Sequence, residues 1–314
     1  MTIETLTSAP ALSQAIPTHV LPTVKDVQHK FPFLPRQVRI DAARVCAARC
    51  LFCHRFGDFR PNAPTKQEFM ELSFVEQILK DIASWPSPLP EIVPTNFTEW
   101  MNNPQWHDMG RMIGEYLPAT PIVLPTTGVL LVQNEALKKL ASISTLRWTN
   151  FSLNAYFKET WARTLRVSER LFPKVLALPE KFRALRPDVT INISMVYDPQ
   201  LITEKERELF QNYWQSRGFR VSINNVSYAK NPKRVPEPPV VISCRSIFDG
   251  LVVFLNGQVG TGCCFSGENE LPVGRFPEQK LLEIWRGDQL RALGNLHNTG
   301  RRAELEICKT CSFA

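Results

Sequence analysis

Apolar and polar residues alternate with two different periods along residues 37–225, and the two periods predict strands and helices in turn. Short runs with a period of two, such as residues 37–42 (QVRIDA) and 190–198 (TINISMVYD), are typical of strands. Longer runs with a period of 3.6, such as residues 73–84 (SFVEQILKDIAS), are typical of amphipathic helices. Six strand–helix alternations predict an α/β fold with a mostly parallel sheet and right-handed crossovers.

Two helices carry terminal signals in the sequence. Ser73 is predicted to cap the first helix, with Glu76 completing a capping box. Thr203 and Glu206 are predicted to act in the same way on a later helix, which Gly218 ends. These signals place the helix boundaries at residues 73 and 203.

Proline content divides the chain into segments. Residues 1–35 are rich in proline and lack a clear period, which predicts an irregular arm. Residues 36–229 hold the six alternations and are predicted to form the main domain. Residues 230–239 (KNPKRVPEPP) contain four prolines and are predicted to be a linker. Residues 240–314 are then predicted to form a small, cysteine-rich domain.

The composition excludes several classes of protein. The chain has 314 residues, of which 44% are hydrophobic and 21% are charged, as in folded globular proteins. A membrane span needs about 18 consecutive apolar residues, and no such run is present. The first residues resemble no secretory signal, so a cytoplasmic protein without a membrane partner is expected. The net charge of +7 is dispersed along the chain, which predicts a solvated surface rather than a nucleic-acid interface.

The eight cysteines fall into two groups. The first group has the spacing C-x3-C-x2-C and consists of Cys46, Cys50 and Cys53. The second group consists of Cys244, Cys263, Cys264, Cys308 and Cys311. A disulfide framework suits small secreted chains, whereas closely spaced thiols in a protein of this kind favour a metal site.

The first group suits an iron–sulfur cluster better than zinc. Structural zinc takes four ligands, and the group offers three cysteines with His54 directly after Cys53. Side chains of adjacent residues diverge, so Cys53 and His54 would not easily share one tetrahedral ion. Three thiolates without a fourth suit a 4Fe–4S cluster in which one iron stays open for another ligand.

The segment CAARCLFC, with Phe52 at its aromatic position, resembles the motif C-x3-C-x-aromatic-C of the radical S-adenosylmethionine (SAM) superfamily. This resemblance implies a partial (β/α)6 barrel related to the TIM barrel, with a 4Fe–4S cluster on Cys46, Cys50 and Cys53. It also implies that SAM binds the open iron and is cleaved to a 5′-deoxyadenosyl radical, which removes a hydrogen atom from a substrate carbon. Phe52 is implied to lie at the cofactor.

Further SAM contacts are implied after the second and fourth strands. Residues 96–100 (NFTEW) lie where the family has G-G-E-P, so Glu99 matches the motif while Thr98 replaces a glycine. The resemblance assigns Thr98 and Glu99 to the amino group of SAM. The altered motif leaves open whether SAM affinity is reduced or only the turn is reshaped.

Three polar residues of the fourth strand and its helix occupy positions that contact SAM in relatives. Ser152 and Asn154 are two residues apart, so both side chains are expected on one face of the strand. Arg166 lies where relatives place an arginine for the SAM carboxylate. Ordinary solvated polar residues are the alternative for all three.

The C-terminal region resembles the SPASM and twitch extensions of radical SAM enzymes. It has a Cys, an apolar hairpin around Asn256-Gly257, further cysteines, an L-x-E-I-W helix and a closing C-x2-C. The resemblance implies one auxiliary 4Fe–4S cluster, so that the chain would hold two in all. Its implied ligands are Cys244, Cys308, Cys311 and one of the tandem pair, with Cys263 favoured over Cys264; a zinc knuckle is the alternative.

If Cys263 is a ligand, Cys264 is a spare thiol beside the auxiliary cluster. A thiol can return a hydrogen atom to a carbon radical, so the leading hypothesis is epimerisation with Cys264 as the donor, or Cys263 if the roles are exchanged. Cys264 as a buried small hydrophobe is the alternative for the residue. Oxidation of an alcohol, with the auxiliary cluster as electron acceptor, and maturation of a peptide are the alternative reactions.

About 35 residues precede the first strand, fewer than the leader-binding domain that peptide-modifying relatives often carry. This favours a hydroxylated small molecule, such as an amino sugar, over a peptide substrate. A flavodoxin or ferredoxin is the expected reducing partner. A non-enzymatic iron–sulfur carrier or zinc-binding adaptor is the remaining alternative. His297, Arg301 and Arg302 lie near the closing cysteines and are expected at the surface, where they could contact a substrate.

Overall fold

The computed structural model describes residues 29–56, 67–133, 135–226, 243–263, 266–309 and 311. The predicted linker, most of the predicted arm and Cys264 lie outside these residues. The predicted domain boundaries therefore stay predictions. No helix in the described ranges is long and apolar enough to cross a membrane.

The described strands form a sheet of nine strands in the order β6-β5-β4-β3-β2-β1-β7-β8-β9. Strands β1 to β7 pair in parallel, whereas β8 and β9 are antiparallel to their neighbours. The strands are β1 (Gln37–Asp41), β2 (Glu91–Val93), β3 (Ile122–Thr126), β4 (Leu146–Ser152), β5 (Thr190–Tyr197), β6 (Arg220–Asn225), β7 (Gly250–Phe254), β8 (Gln258–Thr261) and β9 (Pro272–Arg275).

Helices connect the parallel strands and cover one face of the sheet. Those before β7 are α1 (Leu72–Ala83), α2 (Trp106–Tyr116), α3 (Ala136–Ala141), α4 (Lys158–Leu165), α5 (Phe172–Leu176), α6 (Leu178–Leu185), α7 (Glu204–Gln215) and α8 (Ser246–Asp249). Those after β9 are α9 (Leu281–Arg286), α10 (Asp288–Asn298) and α11 (Glu306–Lys309). Four 3₁₀ turns are also described, at Trp100–Asn102, Val129–Val132, Glu169–Leu171 and Arg302–Glu304. The alternation confirms the predicted fold class.

Strand alternation separates an apolar outer face from a polar inner face. Phe151 of β4 packs on Phe182 of α6, with ring centroids 6.3 Å apart, and Ile193 of β5 is paired with Phe151 in the sheet. Because neighbouring residues in a strand point to opposite faces, Asn150 and Ser152 point to the inner face. A parallel sheet is usually apolar on both faces, so polar residues at alternate positions mark the inner face as a site.

The strand β7 of the C-terminal region extends the barrel sheet beyond β1. The two strands pair in register from Gln37 with Gly250 to Asp41 with Phe254. Gly250 has extended backbone, and a Cβ atom there would lie 2.2 Å from the carbonyl oxygen of Gln37. Glycine at this position therefore permits the close approach of β7 to β1.

The helix-capping predictions have different outcomes. The first helix begins at Leu72 with Glu71 as its N-cap, so the predicted cap at Ser73 and the box with Glu76 are wrong. The reason is that Met70 donates its N–H to Ala42, which holds the chain extended up to the helix start. The cap at Thr203 is confirmed, because its side chain accepts the Glu206 N–H at 3.2 Å. The predicted box is wrong, because the Glu206 carboxylate turns away to accept hydrogen bonds at the start of α4.

Candidate functional site

Cys46, Cys50 and Cys53 lie in the loop that follows β1, which we call the cysteine loop (residues 42–56). All three are free and partly buried. Burial raises the pKa of the Cys46 thiol to about 12, and the charges of Glu99 and Cys53 act in the same direction. Burial also raises the pKa of Cys50, to which Cys53 and Cys46 contribute. As thiolates, the three cysteines would repel one another in this partly buried loop, so they form a donor set that needs bound positive charge, which iron supplies.

Backbone hydrogen bonds seat the cysteine loop on the end of α4. Arg49 donates its N–H to the carbonyl of Leu165 at 3.0 Å, and Leu51 donates to Thr164 at 2.9 Å. These carbonyls belong to the last turn of α4, where carbonyl groups have no hydrogen-bond partners within the helix. The position of α4 therefore determines where the three cysteines lie.

In the described residues, no three Cys, His, Asp and Glu side chains form a group that could hold a single metal ion.

Thr98 and Glu99 are buried at the inner end of the loop after β2. The Thr98 hydroxyl donates to the Asp41 carboxylate at 3.3 Å. The Glu99 carboxylate accepts the Thr126 hydroxyl at 2.8 Å and the N–H of Thr127. Burial raises the pKa of Glu99, whereas these hydrogen bonds act to lower it. The Glu99 side chain thus fastens the loop to the turn after β3, and its SAM contact stays a prediction.

Phe52 and Arg166 lie on the two sides of the contact between the cysteine loop and the end of α4. Phe52 is partly buried within the loop, and Arg166 is an exposed residue that ends α4 with φ 57°. Arg166 directly follows Leu165, whose carbonyl accepts a hydrogen bond from the loop. Their predicted SAM contacts are compatible with this placement and remain untested.

The expectation that Ser152 and Asn154 share one strand face is wrong. The strand ends at Ser152, and Asn154 has φ 61°, in the left-handed region that asparagine tolerates. The Asn154 amide donates to the carbonyl of Ser152 at 2.9 Å and accepts the Val196 N–H at 2.9 Å. Asn154 therefore closes a turn at the end of β4 and fastens it to β5, while Ser152 faces the barrel interior.

Ser152 belongs to a polar network on the inner face that the sequence analysis missed. The Asn150 amide donates to Ser152 at 2.9 Å and to Ser194 at 2.8 Å. The Asn192 amide donates to Asn150 at 2.6 Å and to Ser222 at 2.8 Å. The signal that predicts this network is the polar residue at every second position of strands β4, β5 and β6.

Charged residues from both ends of the chain meet at the cysteine loop, and these too were missed. Arg44 donates to both oxygens of Glu268, at 2.8 and 2.9 Å, and also pairs with Glu68. Arg55 lies 3.9 Å from the Glu268 carboxylate. Burial raises the pKa of Asp41 to about 6, with Arg55 opposing the shift and Glu268 adding to it. The cysteine loop thus contacts the C-terminal region through charge.

Four cysteines of the second group lie together and are buried: Cys244, Cys263, Cys308 and Cys311. Burial raises the pKa of Cys308 to about 12, and the charges of the other three thiols add to the shift, whereas Arg302 opposes it. Cys263 is thereby placed with the three cysteines predicted as ligands. Four buried thiols in one group fit a 4Fe–4S cluster.

His297 and Arg302 are buried beside these cysteines, so the expectation of a surface position is wrong for both. His297 lies on the buried face of α10, and its Nδ1 accepts the Cys244 N–H at 3.3 Å. Its proton is therefore on Nε2, which lies 3.7 Å from the Cys308 sulfur. Burial, with Arg302 and His29 nearby, lowers the pKa of His297 to about 4. Arg301 is exposed, as expected.

Comparisons with known proteins agree with this arrangement. Residues 244–312 match the SPASM family, an iron–sulfur cluster-binding domain. No curated protein matches the sequence significantly. The predicted resemblance of the C-terminal region to a SPASM domain is thereby confirmed, while the predicted bounds of the domain, 240–314, stay predictions.

Several crystal structures have a similar fold. BtrN in complex with AdoMet and 2-DOIA is 14% identical, with 91% of this chain and 94% of that chain covered and a TM-score of 0.59. Native anSMEcpe with bound AdoMet is 15% identical, with 88% and 89% covered and a TM-score of 0.64. Streptococcus suis SuiB bound to precursor peptide SuiA is 14% identical, with 90% and 70% covered and a TM-score of 0.58.

Proposed function

We propose that this chain, which has the fold of the radical SAM enzymes and a C-terminal SPASM domain, is a radical SAM enzyme that acts on a C–H bond of a hydroxylated small molecule. The observation that carries the proposal is the presence of two separate groups of cysteines, one of three in the cysteine loop and one of four in the C-terminal region. A non-enzymatic carrier would not need the group of three, which leaves one iron open for SAM.

The chain's own residues divide between the two clusters. Cys46, Cys50 and Cys53 would hold the cluster that binds SAM. Cys244, Cys263, Cys308 and Cys311 would hold the auxiliary cluster. When bound, the first cluster and SAM supply a 5′-deoxyadenosyl radical that removes a hydrogen atom from the substrate. The structures of BtrN and anSMEcpe with AdoMet support this assignment.

The inner face of the barrel supports a hydroxylated ligand. Asn150, Ser152, Asn192 and Ser194 present amide and hydroxyl groups, which both donate and accept hydrogen bonds. Such groups match the ribose of SAM and the hydroxyl groups of a sugar-like substrate. The similarity to BtrN, in complex with 2-DOIA, supports a small molecule. The similarity to SuiB, bound to a precursor peptide, keeps a peptide substrate as the alternative.

For the reaction we retain epimerisation, with Cys264 as the hydrogen-atom donor to the substrate radical. The thiyl radical left on Cys264 would then take one electron from the reducing partner and one proton from solvent, which restores the thiol. The support for epimerisation is the grouping of Cys263 with Cys244, Cys308 and Cys311. These four would be the complete set of cluster ligands, so Cys264 would be a spare thiol. Oxidation of an alcohol is the second candidate. It is favoured by the buried Arg302 cation beside the same cysteines, because positive charge makes a cluster a better electron acceptor. A flavodoxin or ferredoxin would reduce the SAM-binding cluster, and a cytoplasmic location follows from that requirement.

The first test is iron and sulfide content after anaerobic reconstitution, together with 5′-deoxyadenosine formation from SAM under reducing conditions. The wild type should hold about eight irons. The triple Cys46/Cys50/Cys53→Ala variant should hold about four and form no 5′-deoxyadenosine. A Cys308→Ala variant should instead keep 5′-deoxyadenosine formation. A wild type that binds iron but never cleaves SAM would support the carrier alternative, and absence of iron would contradict the proposal.

The second test separates the two reactions in heavy water. Epimerisation by an exchangeable thiol deposits one deuterium in a product with otherwise unchanged mass. Cys264→Ala should then abolish the epimer while 5′-deoxyadenosine is still formed. Oxidation yields a product lighter by two hydrogen atoms. Its formation by the wild type would replace epimerisation with the second candidate.

A further inference from the structure

Arg302 is a buried arginine in the 3₁₀ turn Arg302–Glu304, directly before the closing cysteines. Its side chain is 1% exposed and donates from Nη2 to the carbonyl of Cys311 at 2.8 Å. A guanidinium keeps its charge under all ordinary conditions. Burying that charge costs free energy unless negative charge lies nearby. The position of Arg302 therefore requires an explanation in terms of charge.

The four buried cysteines next to Arg302 explain why its charge is buried. The Arg302 guanidinium donates to the carbonyl of Cys311, one of the four buried cysteines, so its charge lies beside the proposed cluster ligands. Four thiolates with an iron–sulfur core carry net negative charge, which grows by one unit on reduction. A fixed cation nearby therefore stabilises the reduced state more than the oxidised state.

His297 acts on the same group of cysteines in the same direction. Because its Nδ1 accepts the Cys244 N–H, its Nε2–H points toward the Cys308 sulfur, 3.7 Å away. A hydrogen bond donated to a cluster sulfur also favours the reduced state. Two elements thus act on one cluster site: α10 directs a hydrogen-bond donor at it and the 3₁₀ turn directs a positive charge.

We propose that Arg302 sets the reduction potential of the auxiliary cluster on Cys244, Cys263, Cys308 and Cys311, raising it by compensating the charge of the reduced state. This inference rests on the proposed function only in requiring that the four cysteines bind a cluster. Arg302 is a positioning residue and is not assigned any contact with substrate. The proposal applies to epimerisation and oxidation alike, since it concerns the cluster and not the product.

The test is the midpoint potential of the auxiliary cluster, measured by redox titration with electron paramagnetic resonance. The Cys46/Cys50/Cys53→Ala background removes the signal of the other cluster. Arg302→Gln keeps a hydrogen-bond donor and removes the charge, whereas Arg302→Lys keeps the charge. Arg301→Gln is the matched control, because Arg301 is exposed and pairs with Glu304 at 2.6 Å.

Arg302→Gln should shift the reduction equilibrium about tenfold toward the oxidised state, which is about 59 mV for a one-electron couple. Arg302→Lys and Arg301→Gln should stay close to the unsubstituted background. An unchanged potential in Arg302→Gln, or an equal shift in Arg301→Gln, would overturn the proposal.

Loss of the cluster is also informative. If Arg302→Gln binds no iron while Arg302→Lys binds about four, the charge is required to hold the cluster, which supports the proposal. If both variants lose iron, Arg302 acts through packing and the proposal fails. Absence of iron from the background protein itself would contradict the proposed function instead.

Discussion

Arg44 and Glu268 are separated by 224 positions in the sequence, yet the guanidinium of Arg44 donates to both carboxylate oxygens of Glu268. One residue lies in the cysteine loop and the other lies between the cysteines of the C-terminal group. Bidentate pairs of this kind fix geometry as well as adding free energy. The pair therefore holds the two groups of cysteines in a defined relationship.

A double-mutant cycle on Arg44→Gln and Glu268→Gln should reveal this coupling. The side chains are mostly buried, so we expect a coupling free energy of about 1 to 2 kcal/mol in the free energy of unfolding, measured with denaturant. The exposed pair of Arg301 and Glu304 serves as the control and should show no measurable coupling. Equal coupling in the two cycles would show that the bridge between the cysteine groups has no special strength.

Glu206 supports the cysteine loop from a distance. The sequence predicts that it caps its own helix, but its carboxylate accepts the N–H groups of Tyr156 and Phe157 and the hydroxyl of Thr160, each at 3.0 Å. These groups belong to the start of α4, whose other end seats the cysteine loop.

Glu206→Ala should therefore lower the free energy of unfolding by about 1 to 3 kcal/mol, because three partly buried donors lose their acceptor. It should also reduce iron binding by the cysteine loop. Both quantities are accessible from denaturant unfolding and iron analysis. Glu208→Ala, on the exposed face of the same helix, should change neither. Normal stability in Glu206→Ala would contradict the assigned role.

The raised pKa of Asp41 predicts a dependence of stability on pH. Burial raises its pKa from 3.8 to about 6, so the folded state binds a proton more tightly than the unfolded state. The stabilising contribution is complete below pH 3.8 and is lost as the pH rises through 6. Replacing Asp41 by Asn removes this loss.

The free energy of unfolding of Asp41→Asn, relative to that of the wild type, should therefore rise by about 1 to 1.5 kcal/mol from pH 5 to pH 8. Denaturant unfolding of both proteins at the two pH values measures this difference. A gain of the same size at both pH values would show that Asp41 does not titrate in this range.

Two glycines should respond to alanine with opposite signs. At Gly250 the added methyl group would overlap the Gln37 carbonyl, with 2.2 Å between the atoms. We expect a loss of about 1 to 3 kcal/mol from this overpacking. At Gly114 of α2 the nearest atom is 3.6 Å away, an ordinary contact. Alanine there should stabilise the helix by about 0.5 to 1 kcal/mol. Denaturant unfolding of the two variants tests both signs.

The sequence predicts the parts of the structure that depend on local periodicity. The alternation of strands and helices, the cap at Thr203 and the hairpin at Asn256-Gly257 follow from residues that are close together in the chain. The charged residues at the cysteine loop do not. Arg44 looks like an ordinary surface arginine until folding brings Glu268 to it, and no local pattern encodes that distance.

Burial of polar residues is the second point at which sequence reasoning stops. His297 and Arg302 carry polar side chains that are usually exposed, and only the packing of α10 against the cysteines buries them. Asn154 is a similar case, since its positive φ is a property of the turn that follows β4. The polar inner face could have been predicted, because Asn150, Ser152 and their neighbours alternate with apolar residues in a parallel sheet.

The pairing of β7 with β1 has a consequence for protein engineering. An isolated barrel that lacks the C-terminal region would expose β1 as an open edge, directly before the cysteine loop. Exposed edges of this kind pair with other chains and cause aggregation. Transplanting the C-terminal cluster domain to another barrel would therefore require grafting β7 along with the four cysteines. Conversely, fragments that meet at this strand pair are candidates for split-protein complementation.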